Sequence, residues 1–182
     1  MPEPRRLLTK VVLAGDQGVG KTSLVRRYVV DAFDDRYLLT LGTKVEKKVV
    51  DVAVPERDLR ASLSMQIWDI MGQRGFRELA KEAYFFGARG IFAVADLTRK
   101  DTLDGVGDWV RAVHDVTGPI PMVLVANKKD LRAQAAYTPA DVEAAARKLG
   151  CASFLASAKT GENVEPAFQQ LATLIVRGYL KV

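Results

Sequence analysis

Residues 15–22 read Gly-Asp-Gln-Gly-Val-Gly-Lys-Thr and follow the apolar run Leu7–Ala14. That is the G-x-x-x-x-G-K-[ST] phosphate loop in its required setting, with a strand before it and a helical pattern after it. Gly15, Gly18 and Gly20 let the backbone turn tightly, so that consecutive N–H groups from Asp16, Gln17, Gly18, Val19, Gly20, Lys21, Thr22 and Ser23 can face phosphate. A helix starting near Lys21 adds its positive end. Lys21 brings a cation to the β- and γ-phosphates, and the Thr22 hydroxyl can ligate Mg²⁺. This chemistry implies a nucleoside triphosphate.

A second apolar strand, residues 121–127, runs into Asn127-Lys128-Lys129-Asp130. A loop at the C-terminal end of a strand lies where open α/β sheets bind ligands. Asp130 can accept hydrogen bonds from the N1–H and 2-amino group of guanine, whereas adenine would leave the carboxylate unpaired. Hydrogen bonds to a charged group contribute about 1.5–3 kcal/mol each. A site built on such bonds rejects the analogue that lacks them by roughly 10⁴–10⁵-fold. The stem of Lys128 can cover the ring while Asn127 braces the loops. Ser157-Ala158-Lys159, after the short strand 153–156, can bring a backbone N–H to guanine O6 and a second lysine beside the ring.

Between these segments lies Trp68-Asp69-Ile70-Met71-Gly72-Gln73. Asp69 ends a strand and suits Mg²⁺ binding through water. Gly72 has no side chain to keep its N–H from a γ-phosphate, and Gln73 can orient an attacking water. Thr40, 18 residues after Thr22, is a second hydroxyl candidate for Mg²⁺, with Thr43 a nearby alternative.

Together these residues resemble a Ras-superfamily small GTPase, most closely the Rab and Ras-like branches. The resemblance runs roughly from residue 7 to 178, with five motifs in family order. It implies a molecular switch that hydrolyses GTP with Mg²⁺. Lys21 and Thr22 would be the phosphate-loop pair, and Thr40 the switch I threonine. Asp69, Gly72 and Gln73 would form switch II, with Gln73, Lys21 and Gly72 the catalytic set. Thr22, Thr40 and Asp69 would hold the metal. Asn127, Lys128, Asp130, Ser157, Ala158 and Lys159 would form the guanine site. Phe33 falls where the family packs an aromatic ring edge-on against the base; a core aromatic is the other reading. Effectors, exchange factors and GTPase-activating proteins would bind through the switches.

Three departures from the family pattern stand out. Gln17 occupies a position that is commonly Gly or Ser, and its side chain would project toward the γ-phosphate, where an activating arginine must enter. Met71 replaces a small residue. The stretch from Thr40 to Asp69 is longer than usual, lengthening a strand hairpin over 44–69 around Val54–Asp58. These put ordinary stimulation by activating proteins in question, and Gln17 and Met71, which both crowd the hydrolytic centre, motivate an alternative: a GTP-locked binding or assembly module with little hydrolysis. No arginine is obviously supplied in cis, so intrinsic turnover is expected to be slow, on the order of 10⁻⁴–10⁻³ s⁻¹.

The elements that must position these groups follow from periodicity. With 182 residues, the chain is expected to form a single domain. The order reads strand 7–14, helix 21–31, hairpin 44–69, then strands near 90–96, 121–127 and 153–156 alternating with helices. This predicts an α/β fold: a mostly parallel six-stranded sheet with one antiparallel edge strand and helices on both faces. Thr138-Pro139-Ala140-Asp141 is a helix start, and Lys148-Leu149-Gly150 its end. Residues 101–118 read as helical although Gly105 and Gly107 weaken them. Val164, Phe168, Leu171 and Ile175 share one face of the last helix.

Composition narrows the class. Hydrophobic residues make up 48% and charged residues 27% of the chain, as in ordinary globular proteins. The single cysteine, Cys151, rules out an internal disulfide and suits a reducing cytoplasm. The chain ends Arg177–Val182 without a cysteine to prenylate, and Pro2 follows Met1, so no lipid anchor is expected. The net charge of +5 is spread without a basic run or an RNA-binding signature, which argues against a nucleic-acid partner. A monomer is expected.

Overall fold

The computed structural model describes residues 4–36 and 42–180. Its strands are β1 (Arg5–Ala14), β2 (Thr43–Val54), β3 (Leu59–Ile70), β4 (Ala88–Asp96), β5 (Met122–Asn127) and β6 (Ala152–Leu155). Its α-helices are α1 (Lys21–Val30), α2 (Arg74–Phe85), α3 (Lys100–Asp104), α4 (Val106–Thr117), α5 (Pro139–Leu149) and α6 (Val164–Tyr179). One sheet runs in the order β2-β3-β1-β4-β5-β6. Every neighbouring pair is parallel except β2 with β3, the predicted arrangement. The strand order diverges on either side of β1, and β1 feeds the phosphate loop at its C-terminal end, where α/β sheets bind ligands.

Alternation along the strands sorts side chains onto two buried faces. Val11 and Leu13 of β1 join a core with α1 and α6, while Val12 and Ala14 join one with α4 and α5. On the first face Phe168 stacks between Tyr28 and Phe92, with ring centres 4.1 and 4.0 Å apart. This ties α1, α6 and β4 together beneath the phosphate loop. The predicted face of α6, Val164, Phe168, Leu171 and Ile175, is buried throughout.

Local chemistry fixes the helix ends. Thr138 and Asp141 form a reciprocal capping box with Pro139 at the first helical position, and Gly150 closes α5 in the left-handed conformation. Residues 101–118 are helical as expected but break at Gly105 into α3 and α4, whereas Gly107 continues inside α4. The hairpin is paired over its full length from Thr43↔Ile70 to Val54↔Leu59. Its turn is a 3₁₀ stretch, Pro55–Arg57, closed by Asp58 at φ 47°. The far end rests on α6: Glu56 pairs with Arg177 at 2.8 Å, and Gln169 Nε2 donates to the Asp51 carbonyl. No described helix is long and apolar enough to cross a membrane.

Candidate functional site

The loops that follow β1, β3, β5 and β6 converge on a cavity of about 360 Å³. Gln17, Gly18, Gly20, Lys21, Thr22 and Ser23 form one wall, and Asn127, Lys128, Asp130, Ala158 and Lys159 another. Phe33 and Gly72 close it from the switch side. Phe33 lines the cavity and also packs against the core beneath α1.

The phosphate loop is bent by its glycines. Gly20 adopts φ 97°, and a Cβ there would collide with the Asn127 amide. Lys21 is buried, with Nζ donating to the carbonyls of Gly15 at 2.8 Å and Asp16 at 3.1 Å. Burial pushes its pKa down to about 8, against the raising effect of the Asp69 and Asp16 charges. A cation held so far from water is primed to gain an anionic partner.

Thr22 donates its hydroxyl to Asp69 Oδ2. Asp69 is buried at the end of β3, and its Oδ1 has no hydrogen-bond partner. Burial raises the Asp69 carboxyl above the usual range, opposed by the Thr22 hydroxyl and the charges of Lys21 and Lys44. A buried, half-unpaired carboxylate beside a hydroxyl suits a hard cation such as Mg²⁺. Among the described residues no group of three or more His, Cys, Asp or Glu is gathered for a metal.

The guanine loops are joined to the phosphate loop by hydrogen bonds. Asn127 Nδ2 donates to the Val19 carbonyl at 3.0 Å, and Asn127 Oδ1 accepts the Ala158 N–H at 3.1 Å. Lys128, at φ 71°, donates to the Gly18 carbonyl and pairs with buried Asp96 at 2.7 Å. Ser157 donates its hydroxyl to Asp130 Oδ1 at 2.7 Å, which orients the carboxylate and leaves Oδ2 for a ligand. The Ala158 N–H already serves Asn127, so an oxygen reaching this segment would share it.

Switch II lies against the loop. Gly72 is buried, and a Cβ there would come within 2.6 Å of the Gln17 nitrogen and 2.5 Å of Lys21 Nζ. Met71 is half-buried and donates its N–H to Gly42 at 2.9 Å. Gln73 is exposed at the N-cap of α2 and is not among the cavity-lining residues. Gln17 lines the cavity and accepts Arg99 Nη1 at its carbonyl. Thr40 lies outside the described residues, and Thr43 is the first residue of β2. His114 lies on α4, outside the cavity wall.

Three contributors lie outside the motifs: Arg27, and Arg74 with Trp109, which hold the phosphate-loop residue Asp16. Arg27 on α1 donates Nε to the Ala158 carbonyl at 2.8 Å and Nη2 to the Lys159 carbonyl at 2.6 Å, holding the third guanine segment. Asp16 is buried and accepts hydrogen bonds from Arg74 and Trp109. Burial pushes the Asp16 carboxyl up, but those bonds with the charges of Arg74 and Lys21 hold it below the usual range. Neither Arg27, Arg74 nor Trp109 carries a local sequence signal for its role.

A phosphate loop at the end of β1, tied through Asn127 to the Asn127–Asp130 loop at the end of β5, defines a P-loop nucleotide-binding protein. The Ras family profile matches residues 10–177. Ras-related protein Rab-32 of Homo sapiens is 36% identical over 181 residues, covering 96% of this chain and 78% of that protein. Ras-related protein Rab-13 of Canis lupus familiaris is 32% identical, covering 91% of this chain and 78% of its own length. Ras-related protein SEC4 of Saccharomyces cerevisiae is 34% identical, covering 92% and 75%. This chain belongs to the Ras family, on its Rab-like side. It is a guanine-nucleotide-binding molecular switch and a GTPase.

Proposed function

We propose that this chain runs its GTP cycle as one G domain over residues 1–182, with the groups gathered at the C-terminal strand ends in the following roles. The observation that carries the reading is the single cavity shared by the phosphate loop and the Asn127–Asp130 loop. Lys21 and the loop N–H groups from Asp16 to Ser23 hold the β- and γ-phosphates. Asp130 reads the guanine edge, Lys128 and Lys159 flank the ring, Phe33 closes it, and Asn127, Ser157 and Ala158 fix the loops. Thr22 and Asp69, with Thr40, would hold Mg²⁺, which when bound neutralises charge on the β- and γ-oxygens. Gly72 offers its N–H to the γ-phosphate, and Gln73 turns inward to orient water. Hydrolysis adds water to the γ-phosphorus and breaks its bond to the β–γ bridging oxygen, leaving GDP and phosphate.

Loss of the γ-phosphate would release Thr40 and Gly72 together, changing the surface that effectors, exchange factors and activating proteins meet. Gln17 in the cavity wall and half-buried Met71 restrict how an activating arginine enters. We assign the protein to the cytoplasm as a monomer. Single-turnover cleavage of γ-labelled GTP with Mg²⁺, for wild type and Gln73→Leu with ATP as competitor, tests the reading. Slow phosphate release that ATP does not reduce and the variant loses supports it. Tight GTP binding without release from either protein overturns the hydrolytic roles.

A further inference from the structure

The phosphate loop carries a carboxylate that its own chemistry does not use. Asp16 Oδ2 accepts Arg74 Nη2 at 3.0 Å, and Oδ1 accepts Arg74 Nε at 3.3 Å and Trp109 Nε1 at 2.8 Å. The side chain is 8% exposed and is not part of the cavity wall. Two guanidinium nitrogens therefore meet two carboxylate oxygens, a geometry that fixes direction as well as distance. Arg74 is the first residue of α2 and follows Gln73 directly.

Two further contacts belong to the same unit. A Cβ at Gly105 would lie 3.2 Å from Arg74 Nη2 and 3.6 Å from Asp16 Oδ2, so the break between α3 and α4 leaves the space through which Arg74 passes. Arg77, one turn further along α2, holds its guanidinium 5.1 Å from the centre of the Trp109 ring. The start of α2 is thus held twice, by Asp16 of the phosphate loop and by the tryptophan that also binds Asp16.

We infer that Asp16 and Arg74 form a clamp through which the phosphate loop sets the position of Gln73, making Arg74 a positioning residue for GTP cleavage. The inference rests on the reading of Gln73 as the residue that orients water. Arg74 acts by geometry, because its charge is met by Asp16 before it could reach a phosphate. Displacement of a reacting group by about 1 Å can cost on the order of 100-fold in rate. Loss of the clamp is therefore read in cleavage and not in nucleotide affinity.

The test is single-turnover cleavage of γ-labelled GTP by the full chain with Mg²⁺, alongside GTP dissociation. The variants are Arg74→Ala, Arg74→Lys, Asp16→Asn, the Arg74→Ala/Asp16→Asn double and Gln73→Leu. Arg74→Ala is expected to cleave about 10-fold more slowly while GTP dissociation stays within about twofold, and Arg74→Lys to recover part of the rate. The double variant should be no slower than Asp16→Asn alone. Cleavage by Arg74→Ala at the wild-type rate, or additive losses in the double variant, would overturn the clamp. A second readout does not depend on cleavage. In a Trp68→Phe background, Arg74→Ala should change Trp109 emission, since the carboxylate beside the indole loses its guanidinium; an unchanged spectrum refutes the contact. Wild-type cleavage by Gln73→Leu would fell the Gln73 reading, leaving the clamp to be judged by emission and by the double variant.

Discussion

Asn127 donates to the carbonyl of Val19, 108 residues earlier in the chain, and its amide lies so close to Gly20 that no side chain fits between them. The Asn127–Asp130 loop and the phosphate loop are consequently parts of one frame. A nucleotide that spans the cavity meets both at a preset separation, so little ordering remains to be done on binding.

Replacing Asn127 with alanine removes the bond to Val19 and strands the Ala158 N–H that Oδ1 accepts. Each stranded buried group costs about 1–3 kcal/mol. GDP dissociation from Asn127→Ala should be faster by at least about tenfold, measured by release of a fluorescent GDP analogue. Dissociation at the wild-type rate would mean that the two loops hold their separation without the asparagine.

Gly72→Ala probes the opposite wall. The added methyl would meet Lys21 Nζ and the Gln17 nitrogen, so switch II must withdraw from the phosphate loop. GDP affinity should remain near wild type, because the guanine loops and Lys21 are intact. Single-turnover GTP cleavage should fall by at least about tenfold, because withdrawal of switch II would displace Gln73, the residue proposed to orient the water. A variant that cleaves normally would show that switch II adopts a different seat when GTP is bound.

The sequence carried those parts of the site whose chemistry is local. The phosphate loop, the Asn127–Asp130 loop and the Thr138–Asp141 capping box are each contiguous, and their residue types follow from backbone geometry over a few positions. The mostly parallel sheet with one antiparallel edge strand was accessible because alternating strands and helices leave few right-handed arrangements. The break at Gly105 was visible as weakness but not as a passage for Arg74, since that role depends on Asp16, 89 residues away. Arg27 is equally silent in sequence: it looks like a solvated helical arginine until α1 lies beside the segment after β6. The extra hairpin length was legible, whereas its seat on α6 through Glu56 and Arg177 was not.

Cys151 provides a pH-dependent test of the second core. Burial pushes its thiol up to about 11, only partly offset by a hydrogen bond from the backbone of Leu124. The thiolate is the reactive form, so alkylation at pH 8 should be on the order of 100-fold slower than for a free cysteine. The folded thiol keeps its proton between about pH 9 and 11, where the unfolded chain loses it, so stability falls as pH rises through that window. Below pH 9 the thiol is protonated in both states and contributes no slope. Denaturant midpoints of wild type and Cys151→Ala, compared from pH 7 to 10.5, should diverge only above pH 9.

Arg27 links the helix that follows the phosphate loop to the segment that follows β6. Its Nε and Nη2 hold the carbonyls of Ala158 and Lys159, while Nη1 pairs with Asp31 at 3.0 Å. The Asp31 carboxylate is 89% exposed, so that pair contributes little by itself and serves to orient the guanidinium. Arg27→Ala frees the Ala158–Lys159 turn, and with it the groups proposed to face guanine. Affinity for GDP should fall by about tenfold, the equivalent of roughly one charged hydrogen bond, while the cleavage rate of bound GTP stays near wild type. Arg27→Lys should recover less than half of the lost binding free energy, because an ammonium cannot place donors on both carbonyls in one plane. Full recovery by lysine would reduce the role of Arg27 to charge, and a loss of cleavage without loss of affinity would move its influence from the guanine loops to the phosphate loop.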